Sequence, residues 1–339
     1  MLLNLELIIN PTSRCNFDCT FCSAYNLPKG DIDRKRLYNY IKCKRDEINI
    51  IIFNGGDPLM MEPEFYINIL EITKDYNIPL SLTTNLYDFY INPDKWIDLF
   101  KTKNVGVITS YNHNSKSRRL KNGKVYDKDM FTKVINLFND KIGYKPSFIS
   151  VIEEDNSIKT MKDTVLFAKE LGTTCKLNKA LSYGRQETYY PRYRFIAQYT
   201  KAMYDLINEG IKVENYETNF RNIHNFFNNK ESHCPLNRRC HNNILCINPD
   251  FKFYNCSNIA TNPKLYSKYS TNTIHSFSQD YQCIKNECVL CELFNFCNSC
   301  KSYVEECIRN SDIRNYCTEM ESYYQYIRNF YINYKIEEI

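Results

Sequence analysis

Leu5-Glu6-Leu7-Ile8-Ile9-Asn10-Pro11-Thr12-Ser13-Arg14-Cys15-Asn16-Phe17-Asp18-Cys19-Thr20-Phe21-Cys22 carries the chain from a β-rich run into a loop with three thiols in eight residues. A closed structural zinc site needs four ligands, and no fourth Cys or His lies close by in the sequence. Three thiolates can instead ligate three irons of a [4Fe–4S] cluster and leave the fourth iron open.

Outward from this stretch, short β-rich runs alternate with helical patterns up to about residue 180. The expected strands are Leu5 to Ile9, Ile48 to Phe53, Leu80 to Thr84, Val105 to Thr109, Phe148 to Ile152 and Thr174 to Leu177. Helices are expected near 33–44, 63–75, 93–101, 128–139 and 158–170, with entry signals at Asn92-Pro93-Asp94 and Asp127-Lys128-Asp129. Such alternation implies α/β architecture with parallel strands and helical crossovers, and in such folds the chemistry sits at the carboxyl ends of the strands. Six units predict a partial (β/α)6 barrel over 1–185. A Tyr-rich helix near 191–209 and a polar, Asn-rich stretch then make a connection over 186–232. The remainder, 233–339, is cysteine-dense and loop-like, closed by a helix from Thr318 to about Tyr334.

Hydrophobic residues make up 43% of the 339 and charged residues 24%, which suits a globular protein with a real core. The net charge of +5 is modest. Clusters such as Arg34-Lys35-Arg36 and Lys116 to Lys121 read as solvated faces, so neither nucleic acid nor membrane is an expected partner. No run reaches the roughly 20 apolar residues of a membrane span, and the N-terminus lacks a signal-peptide pattern, which predicts a cytoplasmic protein. Sixteen cysteines then call for metal rather than disulfides. Three lie between 15 and 22 and eleven between 234 and 317. Only Cys43 and Cys175 stand between, and both are expected to be buried small hydrophobes. Cys175 is also a candidate hydrogen donor inside the barrel.

The C-x3-C-x2-C spacing, with Phe21 before the last cysteine, resembles the signature of the radical S-adenosylmethionine (SAM) superfamily. The resemblance implies that Cys15, Cys19 and Cys22 hold a [4Fe–4S] cluster whose open iron binds SAM. It further implies reductive cleavage of SAM to a 5′-deoxyadenosyl radical that abstracts a substrate hydrogen. Gly55-Gly56-Asp57-Pro58-Leu59 resembles the family's glycine-glycine-acid-proline turn, whose backbone approaches the SAM amino group. Two glycines permit a backbone approach that a side chain would block. The usual acid there is Glu. Thr83-Thr84-Asn85 resembles the third-strand motif, with Leu86 where a glycine is common. By the same resemblance Ser110 matches a polar position near the ribose and carboxylate of SAM, Arg118 pairs with that carboxylate, and Asn156, after strand five where the family often has an asparagine, is a further SAM-binding residue.

Cys234-x5-Cys240-x15-Cys256 and Cys288-x2-Cys291-x5-Cys297-x2-Cys300, followed by Cys317, resemble the SPASM extension of many peptide-modifying radical SAM enzymes. That resemblance implies two auxiliary [4Fe–4S] clusters, one on Cys234, Cys240, Cys256 and Cys300, the other on Cys288, Cys291, Cys297 and Cys317. Phe251 stands where the family has a glycine, and the spacing before Cys300 departs from its pattern. Zinc is the competing metal for the same thiolates. Cys246, Cys283 and Cys307 lie nearby as alternative ligands.

The expected function is oxidative or cross-linking modification of a peptide or protein. It would draw on an external flavodoxin- or ferredoxin-like electron donor. Little sequence precedes Cys15 to bind a leader peptide, so a separate substrate carrier or a leaderless substrate is expected. Ser257, where sulfatase-maturating relatives carry an aspartate base, argues against that substrate. Dehydrogenation or epimerisation of a small alcohol, sugar or cyclitol is the second reading, and a non-catalytic metal-binding module the third.

Overall fold

The computed structural model describes residues 5–154, 156–182, 185, 189–230, 232, 234, 236, 243–262, 290–293, 297, 300, 302–303, 306 and 313–333, without the side chains of 215–219, 313–315 and 333. Six strands form the body of the sheet: β1 (Leu5–Ile9), β2 (Ile48–Phe53), β3 (Leu80–Thr83), β4 (Val105–Ser110), β5 (Ser147–Ile152) and β6 (Cys175–Lys179). All pair in parallel, each with its neighbour in sequence, as βαβ units require. Every expected strand is present within two residues of its expected ends.

The sheet does not stop at six. Strand β7 (Ile244–Ile247) pairs in parallel with β1, and β8 (Phe253–Tyr254) returns antiparallel to it, giving the order β6-β5-β4-β3-β2-β1-β7-β8. Ile-Leu-Cys-Ile is a short apolar run in cysteine-rich surroundings, where ligand spacing masks its strand character. The cysteine-dense region is thus hydrogen-bonded into the barrel sheet.

Helices α1 (Arg34–Lys44) and α2 (Pro63–Thr73) follow β1 and β2. Where one helix over 93–101 is expected, Pro93 divides the segment into α3 (Tyr87–Ile91), a 3-10 turn (Pro93–Lys95) and α4 (Ile97–Phe100). Trp96 between them is fully buried, and its indole N–H donates to Asp88 at 2.8 Å. Helices α5 (Lys128–Ile142) and α6 (Ser157–Glu170) follow β4 and β5. Asp127 caps α5 by accepting from the Met130 N–H. Tyr111, Phe131, Phe148 and Phe167 pack these helices onto the sheet, with Tyr111 stacked on Phe131 at 4.3 Å.

Beyond β6, α7 (Arg192–Asn208) matches expectation, and the polar stretch after it contains a second helix, α8 (Glu214–Phe227). Among its described side chains Phe220, Ile223 and Phe226 are buried, at helical spacing. A single turn, α9 (Ser257–Ala260), follows β8, and α10 (Ile313–Asn333) packs on α7 and α8 through Tyr326 to the Ala197 carbonyl and Phe330 against Phe220. Among the described residues no helix is long and apolar enough to cross a membrane.

Strand alternation separates a helix-covered outer face from an inner one. Cys175 lies on the outer face, its thiol aimed at the Thr164 carbonyl of α6, so it is no hydrogen donor inside the barrel. Cys43 is exposed on α1 rather than buried.

Candidate functional site

The cysteine loop leaves β1 and runs beside the turn that leaves β2, extending the parallel pairing beyond the strands. Asn54 N–H donates to the Ile9 carbonyl, Gly56 N–H to Thr12 and Asp57 N–H to Arg14, at 2.9, 2.9 and 2.8 Å. This contact explains the two glycines. A Cβ on Gly55, whose φ is +104°, would stand 2.7 Å from the Thr12 carbonyl oxygen, and one on Gly56 2.2 Å from that of Arg14. The close approach they permit is therefore to the base of the cysteine loop. Arg14 is fixed in turn by a two-pronged pair with Asp31, at 2.9 and 2.8 Å.

Asp57 ties three strand ends together. Its buried carboxylate accepts from Leu59 N–H at 2.9 Å, Thr84 O–H at 2.8 Å and Asn85 N–H at 2.8 Å. Pro58 is buried and its carbonyl accepts from Tyr66 O–H at 2.7 Å. Asn85 Nδ2 lies 2.7 Å from Asn16 Oδ1 and 3.7 Å from Cys15 Sγ, which brings the third strand end against the loop.

Burial pushes the Asp57 carboxyl up to about 6, against the pull of those three hydrogen bonds. The folded chain therefore holds a proton that the unfolded chain releases at its ordinary value of 3.8. This contribution is fully present below 3.8 and is lost as pH rises through about 6. It amounts to about 3 kcal/mol at 1.36 kcal/mol per unit. The stability of wild type relative to Asp57→Asn is expected to fall by about 2 kcal/mol between pH 4 and 7 in urea unfolding, and a constant difference would contradict it.

Leu86 follows Asn85 with φ +59° and ψ +12°, the left-handed conformation glycine adopts freely. Phe251, the other position where a glycine is expected, has φ +62°. Both side chains are buried: Leu86 in the core, and Phe251 beneath Arg36 at 4.0 Å and edge-on to Tyr40 of α1. Each departure thus keeps the backbone shape and adds packing. Leu86→Gly should relieve about 1–2 kcal/mol of strain but forfeit about 2–5 kcal/mol of burial. A lower denaturation midpoint is expected.

From the β4 end, Arg118 reaches back over the loop. Its Nη1 donates to Ser110 Oγ at 3.0 Å and lies 4.0 Å from Cys19 Sγ, while Nη2 donates to Asn112 Oδ1 at 3.2 Å. The guanidinium sits 5.2 Å from the Phe21 ring, and its buried Nε has no partner among the described residues. The hairpin carrying it is bound to the cysteine loop, with Asp18 N–H donating to Arg119 and Thr20 N–H to Ser117 at 2.7 and 2.9 Å. Sequence reasoning missed Asn16 and Asn112, which carry no motif of their own. Asn156 heads α6 with φ +54° and lines a groove of about 570 Å³ between α6 and α7 with Glu154, Lys162 and Gln198.

These residues fit a bound iron–sulfur cluster and SAM. Burial, Asp57 and the neighbouring Cys22 and Cys19 push the Cys15 thiol up, and burial and Cys19 do the same to Cys22. Crowded thiolates of this kind need a cationic body between them, and coordination to metal deprotonates a thiol outright. Among the described residues no three Cys, His, Asp or Glu side chains close on a single-ion site. A lone zinc would draw its thiolates to about 3.8 Å from one another, given Zn–S bonds of about 2.3 Å. The unpartnered Arg118 Nε suits a carboxylate such as that of SAM.

In the second thiol group, Cys240 and Cys288 lie outside the described residues, as do Cys283 and Cys307. Cys234, Cys256 and Cys300 act on one another electrostatically, and burial followed by Cys300 and Cys234 pushes the Cys256 thiol up to about 12. Cys246 of β7 is buried beside Cys256 and accepts from Asn10 Nδ2 at 3.4 Å. Cys297 lies 3.3 Å from Tyr316 O–H; Cys291 accepts from Leu293 N–H at 3.4 Å, and Cys317 is exposed on α10.

Over 97% of its length the chain is similar to the structure of native anSMEcpe with bound AdoMet and Cp18Cys peptide, at a TM-score of 0.70 and 19% identity, covering 98% of that chain. The Streptococcus suis SuiB structure bound to precursor peptide SuiA matches 88% of the chain and 72% of its own, at 0.62 and 15%. Both likenesses concern the fold. By sequence, the GTP 3′,8-cyclases of Aliarcobacter butzleri and Nautilia profundicola are 28% and 26% identical over 177 and 195 residues. The chain spans about half the length of these curated relatives, 52% and 57%. Residues 9–168 match the Radical SAM superfamily, which covers the cysteine loop and every strand-end motif through α5. Residues 9–168 of the chain are thus a radical SAM domain, and enzymes with that domain use a [4Fe–4S] cluster and SAM.

Proposed function

We propose that the protein modifies a peptide or protein by hydrogen abstraction followed by oxidation or cross-linking, with two auxiliary clusters in the cysteine-rich region. The observation that carries this reading is the mutual electrostatic coupling of Cys234, Cys256 and Cys300, from three separate segments, with the buried Arg192 beside Cys300 and Cys234. A second thiol set gives a substrate radical somewhere to send its electron. Bound at Cys15, Cys19 and Cys22, the cluster and SAM supply the 5′-deoxyadenosyl radical; Gly55, Gly56, Asp57, Pro58, Thr84 and Asn85 shape the pocket beside them. Arg118 pairs with the SAM carboxylate and Ser110 stands near its ribose and carboxylate, while Asn156, in the groove between α6 and α7, is the outlying member of the set. Cys240 completes the first auxiliary set, and Cys288, Cys291, Cys297 and Cys317 form the second.

The anSMEcpe and SuiB structures, with a Cp18Cys peptide and precursor peptide SuiA, support a peptide substrate. The matches to the GTP 3′,8-cyclases cover 49% and 54% of this chain, too little to carry their substrate over. The partners are a one-electron donor of the flavodoxin or ferredoxin kind and a substrate carrier. Anaerobically reconstituted protein should transfer deuterium from a labelled candidate peptide into 5′-deoxyadenosine. Transfer from labelled GTP or a labelled cyclitol, with none from peptides, would overturn the reading.

A further inference from the structure

Arg192 opens α7 with only 9% of its surface exposed. Its guanidinium faces sulfur: Nη2 stands 3.8 Å from Cys300 Sγ, and the charges acting on it most strongly are those of Cys300, Cys234 and Tyr303. Tyr303 fixes its position. The phenol oxygen accepts the Arg192 backbone N–H at 2.7 Å, and the ring lies 4.1 Å from the guanidinium carbon. Tyr303 O–H in turn donates to Glu319, which also accepts from Tyr189 O–H at 2.7 Å.

A guanidinium stays protonated in proteins, and a buried charge without a counter-charge is strongly disfavoured. Against neutral thiols Arg192 is, among the described residues, such a charge. Against thiolates that ligate a cluster it is compensated, and its N–H donates to a ligand sulfur. Hydrogen bonds to sulfur and nearby charge set the potentials of iron–sulfur clusters. Each electron taken up makes the cluster more negative, so a fixed cation beside Cys300 favours the reduced form.

We propose that Arg192 is the counter-charge of the auxiliary cluster on Cys234, Cys256 and Cys300, holding its reduction potential high enough to accept an electron from the substrate. Arg192 is a positioning and tuning residue, touching the ligand and not the substrate. The inference rests on the auxiliary-cluster reading above.

The test uses full-length chain carrying Cys15→Ala, Cys19→Ala and Cys22→Ala, reconstituted with iron and sulfide, so that only auxiliary sites contribute. Iron content and a redox titration followed by EPR are the readouts. With Arg192→Met, the ratio of reduced to oxidised cluster at the parent midpoint should fall about tenfold, a shift of about 59 mV for one electron. Arg192→Lys, which keeps the charge, should shift it less. An unchanged midpoint with full iron overturns the proposal. If Arg192→Met instead loses iron, retention by Arg192→Lys supports the role of charge, and loss in both variants assigns Arg192 to packing and overturns it. A parent chain that takes up no iron overturns the auxiliary-cluster reading and the proposal together.

Discussion

Cys19→Ala is expected to cost the protein about four irons per chain and all formation of 5′-deoxyadenosine. Cys19 is the middle of the three proposed ligands and the most enclosed, lying under Arg118. A cluster left with two protein ligands on that loop exposes a second open iron and is lost to solvent and oxygen. Iron analysis after anaerobic reconstitution, with product quantified under excess dithionite, separates this from a failure of electron delivery. Cys43→Ala, at an exposed position on α1, is the matched control and should keep both iron and product. Full iron and undiminished product in Cys19→Ala would place the radical-generating site elsewhere.

Gly56→Ala should be nearly as damaging, although it removes no ligand. The added methyl would stand 2.2 Å from the Arg14 carbonyl oxygen and 2.7 Å from its carbon. Both are backbone atoms, so no side chain can swing aside. Either the hydrogen bonds from Gly56 and Asp57 to Thr12 and Arg14 break, or the cysteine loop shifts. Two lost bonds with the accompanying strain amount to about 3 kcal/mol or more. The expected result is a lower unfolding midpoint together with poor retention of the first cluster. Gly106→Ala is the contrast, because its Cβ would meet nothing nearer than the Leu80 carbonyl at 3.9 Å. Equal stability and iron content in the two variants would defeat the close-approach account.

Much of the barrel is legible in the sequence because each strand is a short aliphatic run and each crossover helix carries its own periodicity. The cysteine loop is legible because ligand spacing is local. Other features depend on partners distant in the chain. Nothing near Gly56 says that its neighbour is Arg14, and nothing near Phe251 says that it lies under Arg36. Arg192 is the first residue of an ordinary amphipathic helix, and its meaning comes from partners distant in the chain, Cys300 and Tyr303 more than a hundred residues on. Helix α8 is hidden by its asparagines, which lower helix propensity while Phe220, Ile223 and Phe226 supply the buried face. Leu86 and Phe251 read as departures from a family pattern, yet both hold the backbone angle a glycine would.

Strand β7 bears on how portable the parts of this chain are. Leu7, Ile8 and Ile9 of β1 are paired on one side with Ile51, Ile52 and Phe53 and on the other with Leu245, Cys246 and Ile247. A fragment ending before β7 would bare that second edge, an apolar strand with open amides and carbonyls, and such edges recruit other strands. The barrel in isolation would therefore be prone to self-association, so the two regions are better regarded as interdependent parts of one sheet than as exchangeable modules.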